Sequence, residues 1–140
     1  MRHCLAILLL ALFPPNSWAD PPCTDGAFPA FLARFLTDPA FSRSRTTWPL
    51  KLTREAIGHP GDRRASTISA FDEYWPGQRS PSEFMAANPD VRSSVTDLSP
   101  DAVAVTFYVP DADVLFSMYF EKRRGCWLMT WLRDTGEDRY

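Results

Sequence analysis

The pattern of apolar positions divides the chain into a helical part and a β-rich part. Between residues 24 and 37, Phe28, Phe31, Leu32, Phe35 and Leu36 fall at i, i+3, i+4, i+7 and i+8, the single stripe of an amphipathic helix. Thr24 or Asp25 is placed to cap its start, Pro29 is tolerated in the first turn, and Pro39 disfavours helix at Asp38 and ends it. Asp38-Pro39 then caps and opens a short second helix over 40–44, with Phe41 facing inward. Residues 48–56 alternate instead. Trp48, Leu50 and Leu52 take one side and Lys51, Thr53 and Glu55 the other, which predicts a strand with one wet face. Gly58-His59-Pro60-Gly61-Asp62 reads as a loop, Ser66-Thr67-Ile68 as a returning strand, and 69–75 as a helical turn closed by Pro76-Gly77. Ser80-Pro81-Ser82-Glu83 is a capping box with proline at the first helical position, so a third short helix runs to about Ala87 and stops at Asn88-Pro89.

From residue 91 the period changes to two. Residues 91–98, 102–109, 114–122 and 126–133 are rich in β-branched and aromatic residues, and short polar separators containing Pro, Asp or Gly divide them. An antiparallel meander follows. In its third member Val114, Phe116, Met118 and Phe120 oppose Leu115, Ser117 and Tyr119; in its fourth, Trp127, Met129 and Trp131 oppose Leu128, Thr130 and Leu132. Helices first and a sheet afterwards predict an α+β fold with N-terminal helices packed on one face of a curved antiparallel sheet. The sheet is partly apolar on both faces, so the face without helices is expected to line a pocket, an interface or a covering loop.

The first nineteen residues stand apart. Arg2, the nine-residue apolar run from Leu5 to Phe13, and Ser17-Trp18-Ala19 have the order of an export signal cleaved after Ala19, and Pro14-Pro15 end the run. Nine apolar residues do not cross roughly 30 Å of hydrocarbon, which needs about 20, so no membrane span is expected. Residues 20–140 remain as one α+β domain, and 45% hydrophobic residues are enough for a real core. Loss of the signal leaves 14 basic against 17 acidic residues, a balance that argues against a nucleic-acid partner. The basic clusters Arg63-Arg64 and Lys122-Arg123-Arg124 adjoin Gly-containing turns, where charge keeps a hairpin tip solvated.

Cys23 and Cys126 are the two cysteines left after cleavage, and an oxidising compartment favours joining them; two free thiols, or a lipid on Cys23, are the alternatives. Asp20-Pro21-Pro22 lacks the small and aliphatic residues that lipidation needs. A bridge would close a loop worth about 4–5 kcal/mol in the chain-entropy picture.

Candidate chemistry is sparse. The one histidine outside the signal, His59, and scattered carboxylates supply no metal-ligand spacing, no Gly-x-Ser-x-Gly elbow is present, and no cofactor is implied. Acid–base work would fall to Tyr108 or Tyr119 with Asp72 or Glu73, yet nothing in their spacing demands it. Binding without catalysis fits better, with Arg45, Trp48, Trp75, Tyr119, Trp127 and Trp131 as the aromatic and cationic groups available to a pocket or an interface hot spot.

A resemblance adds to the fold reading. Phe31, Arg34-Phe35-Leu36, Asp38, Phe41, Arg45 and Pro49-Leu50, with the later Phe120, Lys122, Gly125, Trp127-Leu128 and Asp134, resemble the bacterial family known only as domain of unknown function 4348. That family is similar to the nuclear transport factor 2-like, cystatin-like α+β domains, which implies helices closing a bent sheet around a pocket. Cys23 and Cys126 fall outside the pattern, and the resemblance carries no chemistry. The expectation is an exported binding domain, of immunity or inhibitor type or a ligand carrier, whose partner is a protein, a small apolar ligand or a second copy in a homodimer. An isomerase or dehydratase with an Asp/Tyr pair is the alternative. Thiol titration of the denatured, unreduced secreted protein should find no free thiol; two per chain would remove the bridge.

Overall fold

The computed structural model describes residues 23–55, 63–74, 80–110 and 114–135. The signal segment, the loop around His59 and Trp75 lie outside the described residues. Helix α1 spans Phe28–Thr37, α2 Pro39–Ser44 and α3 Pro81–Ala87. The strands are β1 Thr46–Glu55, β2 Arg63–Ile68, β3 Arg92–Ser99, β4 Ala102–Tyr108, β5 Val114–Arg123 and β6 Cys126–Asp134, and Phe71–Glu73 forms a 3-10 turn between β2 and α3.

Two of the helix starts follow their capping signals. The Asp38 carboxylate accepts from the Phe41 N–H at 3.0 Å, and the Ser80 hydroxyl accepts from the Glu83 N–H at 3.3 Å, each satisfying a donor that the first turn leaves free. Helix α1 differs. It begins at Phe28 rather than at residue 24, with Ala27 in the capping position and no side-chain cap. Asp25 is engaged elsewhere: its carboxylate takes the Trp127 N–H at 2.8 Å and the Arg45 guanidinium at 3.2 Å, which holds the segment before Ala27 against the end of the sheet.

The six strands form one sheet in the order β2-β1-β6-β5-β4-β3. β3 to β6 make the expected antiparallel meander, and β2 returns antiparallel on β1. β1 lies parallel to β6, so the sheet is mixed rather than wholly antiparallel. The seam starts directly after α2, where the Arg45 carbonyl accepts from the Met129 N–H at 2.8 Å and Thr46 pairs with Met129. A parallel pair between strands so distant in sequence has no local turn to announce it.

Cross-strand register assigns the two faces. Leu50 and Leu52, Phe116, Met118 and Phe120, and Val103, Val105 and Phe107 face the helices. On β6 the expected alternation fails at Thr130. Phe120 pairs with Met129 while Tyr119 pairs with Trp131, so one extra residue is accommodated and the parity reverses. Trp127 and Met129 point inward as expected, but Leu132, not Trp131, is the next inward residue and is fully buried.

Phe120 is the centre of the inner layer. The rings of Phe28, Phe31 and Phe35 of α1 meet it edge-on at 5.4, 5.8 and 5.1 Å, the geometry that aromatic quadrupoles favour. Phe107 and Phe116 stack at 4.6 Å, and Phe84 of α3 closes on Phe116 at 5.2 Å. Rings thus make up about half of the buried cluster between the helices and the sheet. At the edge, every residue of β3 is exposed, including Val95 at 52% and Leu98 at 54%.

At the far end of the hairpin, Arg124 and Gly125 both have positive φ, 51° and 84°, the pair of conformations a primed two-residue turn demands. A Cβ on Gly125 would stand 2.6 Å from the Cys23 carbonyl oxygen, so glycine also makes room for the N-terminal segment. Cys23 and Cys126 are joined there as a disulfide.

Phe120→Ala should lower unfolding free energy by about 3–5 kcal/mol in urea titrations, because three rings lose their common partner. Leu98→Ala, at an exposed edge, should stay within about 0.5 kcal/mol.

Candidate binding surface on the open sheet face

Residues of the opposite parity build the other face, which no described helix covers. Across the strands, Lys51 of β1 lies beside Trp131 of β6, Trp131 beside Tyr119 of β5, and Tyr119 beside Ala104 of β4. The next row sets Thr53 beside Arg133, Arg133 beside Ser117, and Ser117 beside Thr106. The small neighbours Ala104, Thr53 and Ser117 are buried beside the two large rings.

Tyr119 and Trp131 stack at 4.2 Å with an 18° interplanar angle. The Lys51 ammonium sits 4.8 Å from the Trp131 ring, a cation–π contact on its other neighbour, and Trp131 Nε1 donates to Thr53 Oγ1 at 3.0 Å. Both rings remain partly exposed. Thr106 and Ser117 share a hydroxyl–hydroxyl bond of 3.1 Å.

Charge is ordered beside the stacked rings. Glu55 Oε1 receives Arg133 Nη2 at 2.7 Å and Arg63 Nε at 2.8 Å. The Arg133 hydrogen bond, aided by Arg63, holds the Glu55 carboxyl below its ordinary value of 4.5 against the opposing effect of burial. Glu55 in turn raises the Arg133 pKa, and the Tyr119 hydroxyl acts in the same direction. Arg133 Nε is buried without an acceptor among the described residues. The guanidinium is therefore held through Nη2 by Glu55.

The described residues among those singled out from sequence separate into three places. Tyr119 and Trp131 come together on the open face. Trp127 is inside, 4.9 Å from the Phe28 ring and only 4% exposed. Arg45 lies beside it at the disulfide, donating to Cys23 Sγ and Asp25. Trp48 packs edge-on against Phe71 at 5.0 Å and donates to the Arg43 carbonyl; next to it, Arg43, Ala70, Phe71 and Asp72 line a recess of about 380 Å³. Sequence reasoning passed over Lys51, Thr53, Glu55 and Arg133 as site residues. The wet side of β1 signals the first three, whereas Arg133 joins them only through the bulge at Thr130.

The pairing of Tyr119 with Asp72 or Glu73 does not assemble. Tyr119 lies on the open face, while Asp72 and Glu73 belong to the 3-10 turn whose Phe71 packs into the helix side. Glu73 is occupied by the Ser69 N–H at 3.0 Å. No group of three or more His, Cys, Asp or Glu able to hold a metal occurs among the described residues, and no described helix is long and apolar enough to cross a membrane.

Two solved structures share this architecture at low identity. A nuclear transport factor 2-like protein of Bacteroides fragilis superposes with a TM-score of 0.55 and 16% identity over 81% of this chain and 48% of that one, so the chain spans about half its length. A cystatin-like protein of Bacteroides caccae gives 0.52 and 21% over 84% and 83% of the two chains. The fold is thus nuclear transport factor 2-like. No protein-family model matches, so the narrower membership in domain of unknown function 4348 is not shown, and no curated protein matches either.

Because Glu55 ionises more readily in the folded chain, its contribution is present above pH 4.5 and is lost as acid protonates it in the fold. Melting temperatures of wild type and Glu55→Gln should therefore differ most near neutral pH and converge as pH falls below that value. A gap that widens on acidification would contradict the pairing.

Proposed function

We propose that this nuclear transport factor 2-like domain is an exported, non-catalytic binding module whose open sheet face recognises another protein. The observation that carries the reading is the division of aromatic residues between the two faces. Phenyl rings occupy the helix side, where a carrier of apolar ligands needs an empty cavity. The opposite side presents a stacked tyrosine and tryptophan, a lysine and a braced arginine, the residue types that dominate interface hot spots. Placement of Tyr119 and Asp72 on different sides of the sheet also speaks against the isomerase alternative. Export is supported by the sequence of residues 1–19 and by the Cys23–Cys126 disulfide, a bond that persists in oxidising compartments. An immunity or inhibitor role fits these features: a small, bridged domain offering a preformed platform.

Secreted protein should begin at Asp20 on N-terminal sequencing. Immobilised wild type should retain a protein from an envelope extract of the source bacterium. Once that protein is purified, Trp131→Ala and Tyr119→Ala should each weaken its affinity at least 30-fold, about 2 kcal/mol. A fluorescent apolar probe should show no saturable one-to-one binding. Undiminished affinity in both variants, or stoichiometric uptake of the probe, would overturn the reading.

A further inference from the structure

The two sulfurs of the bridge sit in unlike surroundings. Arg45 Nη1 lies 2.7 Å from Cys23 Sγ, while its Nη2 is committed to Asp25 Oδ1 at 3.2 Å. Cys126 Sγ has a different neighbour, the Arg124 carbonyl oxygen at 4.0 Å. A guanidinium stabilises a thiolate and a carbonyl oxygen does not, so the negative charge released on opening the bridge is better placed on Cys23. In thiol–disulfide exchange the sulfur that forms the more stable thiolate leaves faster, and the attacking thiolate bonds to the other sulfur.

We infer that the Cys23–Cys126 bridge is a directional thiol–disulfide exchange site, in which an external thiolate attacks Cys126 Sγ and Cys23 departs as a thiolate held by Arg45. In the first step a bond forms between the external sulfur and Cys126 Sγ, the Cys23–Cys126 bond breaks, and its electron pair stays on Cys23 Sγ. No proton is required. A second external thiolate attacks the external sulfur of the mixed disulfide, releasing Cys126 as a thiolate and giving the oxidised external disulfide. Two thiols are oxidised and the protein bridge is reduced. Reversal of both steps re-forms the bridge.

Access and return are both built in. Cys126 begins β6 beside the exposed Arg124, whose charge favours approach of an acidic thiol of low molecular weight or of an acidic dithiol protein, while the neighbouring Arg123 is paired with Glu121. The N-terminal segment does not depend on the covalent bond for its position. The Asp25 N–H donates to the Gly125 carbonyl at 3.2 Å and its carboxylate accepts from the Trp127 N–H at 2.8 Å, so Cys23 stays opposite Cys126 after the bond opens. The site stands on its own geometry and does not rest on the sheet-face reading.

Glutathione tests the direction. Oxidised wild type is incubated with excess reduced glutathione, quenched in acid, digested with pepsin and analysed by mass spectrometry. The mixed disulfide should lie on Cys126 over Cys23 by on the order of tenfold. A dithiol oxidoreductase with its resolving cysteine removed should be trapped on the same residue, and trapping by only one of the two reagents identifies the source of the thiol. Equal labelling, or a preference for Cys23, overturns the inference. A second measurement compares the lone thiols of Cys126→Ser and Cys23→Ser by iodoacetamide alkylation across pH. Cys23 should react at lower pH than Cys126, and Arg45→Met should abolish the difference. If the Arg45 variant does not fold, the comparison of the two single-cysteine proteins decides alone, and coincident profiles refute the assignment.

Discussion

The extra residue at Thr130 governs what each side of the sheet can do. A strand alternates its side chains strictly, so without that bulge Trp131 would continue the inward series of Trp127 and Met129, while Leu132, which lies between Leu52 and Met118, would be turned to the other face. With it, Leu132 completes the core, Trp131 meets Tyr119, and Arg133 reaches Glu55. One irregularity in the ladder thus separates a close-packed interior from an ordered aromatic and ionic exterior. The cost is local loss of pairing, and Thr130 uses its own hydroxyl in partial compensation, bonding the Tyr119 carbonyl and Glu121 at 3.4 Å each.

The second organising constraint is the return of the N-terminal segment to the β5–β6 turn. Asp25 bonds the Arg45 side chain, the Trp127 amide and, through its own amide, Gly125, so a single residue ties the start of the fold to its last strand. The disulfide closes over that junction, and α1 starts only after it. Phe28, the first residue of the helix, then lands on both Trp127 and Phe120. Tie and core are therefore continuous, and the helix is positioned from both ends of the chain.

Much of this architecture is legible in the residues because its determinants are local. Asp38 before Pro39 and Ser80 before Pro81 carry the acceptors that cap their own helices, and the β5–β6 hairpin is joined by a two-residue turn whose positive φ angles suit it. What escapes is non-local. Asp25 reads as a helix cap because its chemistry suits one, yet its partners Arg45, at the end of α2, and Trp127, in β6, come from distant points of the chain and win. The parallel pairing of β1 with β6 leaves no mark on either segment. The bulge at Thr130 is silent because threonine is as suitable for a regular strand as for an irregular one. Of the candidate site, Tyr119 and Trp131 were identifiable as aromatic strand residues, but their union with Lys51, Thr53 and Arg133 requires knowing both the parallel seam and the parity change.

The other border of the sheet carries a different consequence. β3 is exposed along its whole length, and its outer backbone groups offer a template onto which a further strand could crystallise, chain after chain. Register with β4 breaks between Asp97 and Ser99, which distorts the end of the ribbon, and Arg92 and Asp97 place opposite charges along it. Such features deny a flat, continuous growing front to a fibril. The rim of the sheet can therefore resist polymerisation although β3 is its last strand.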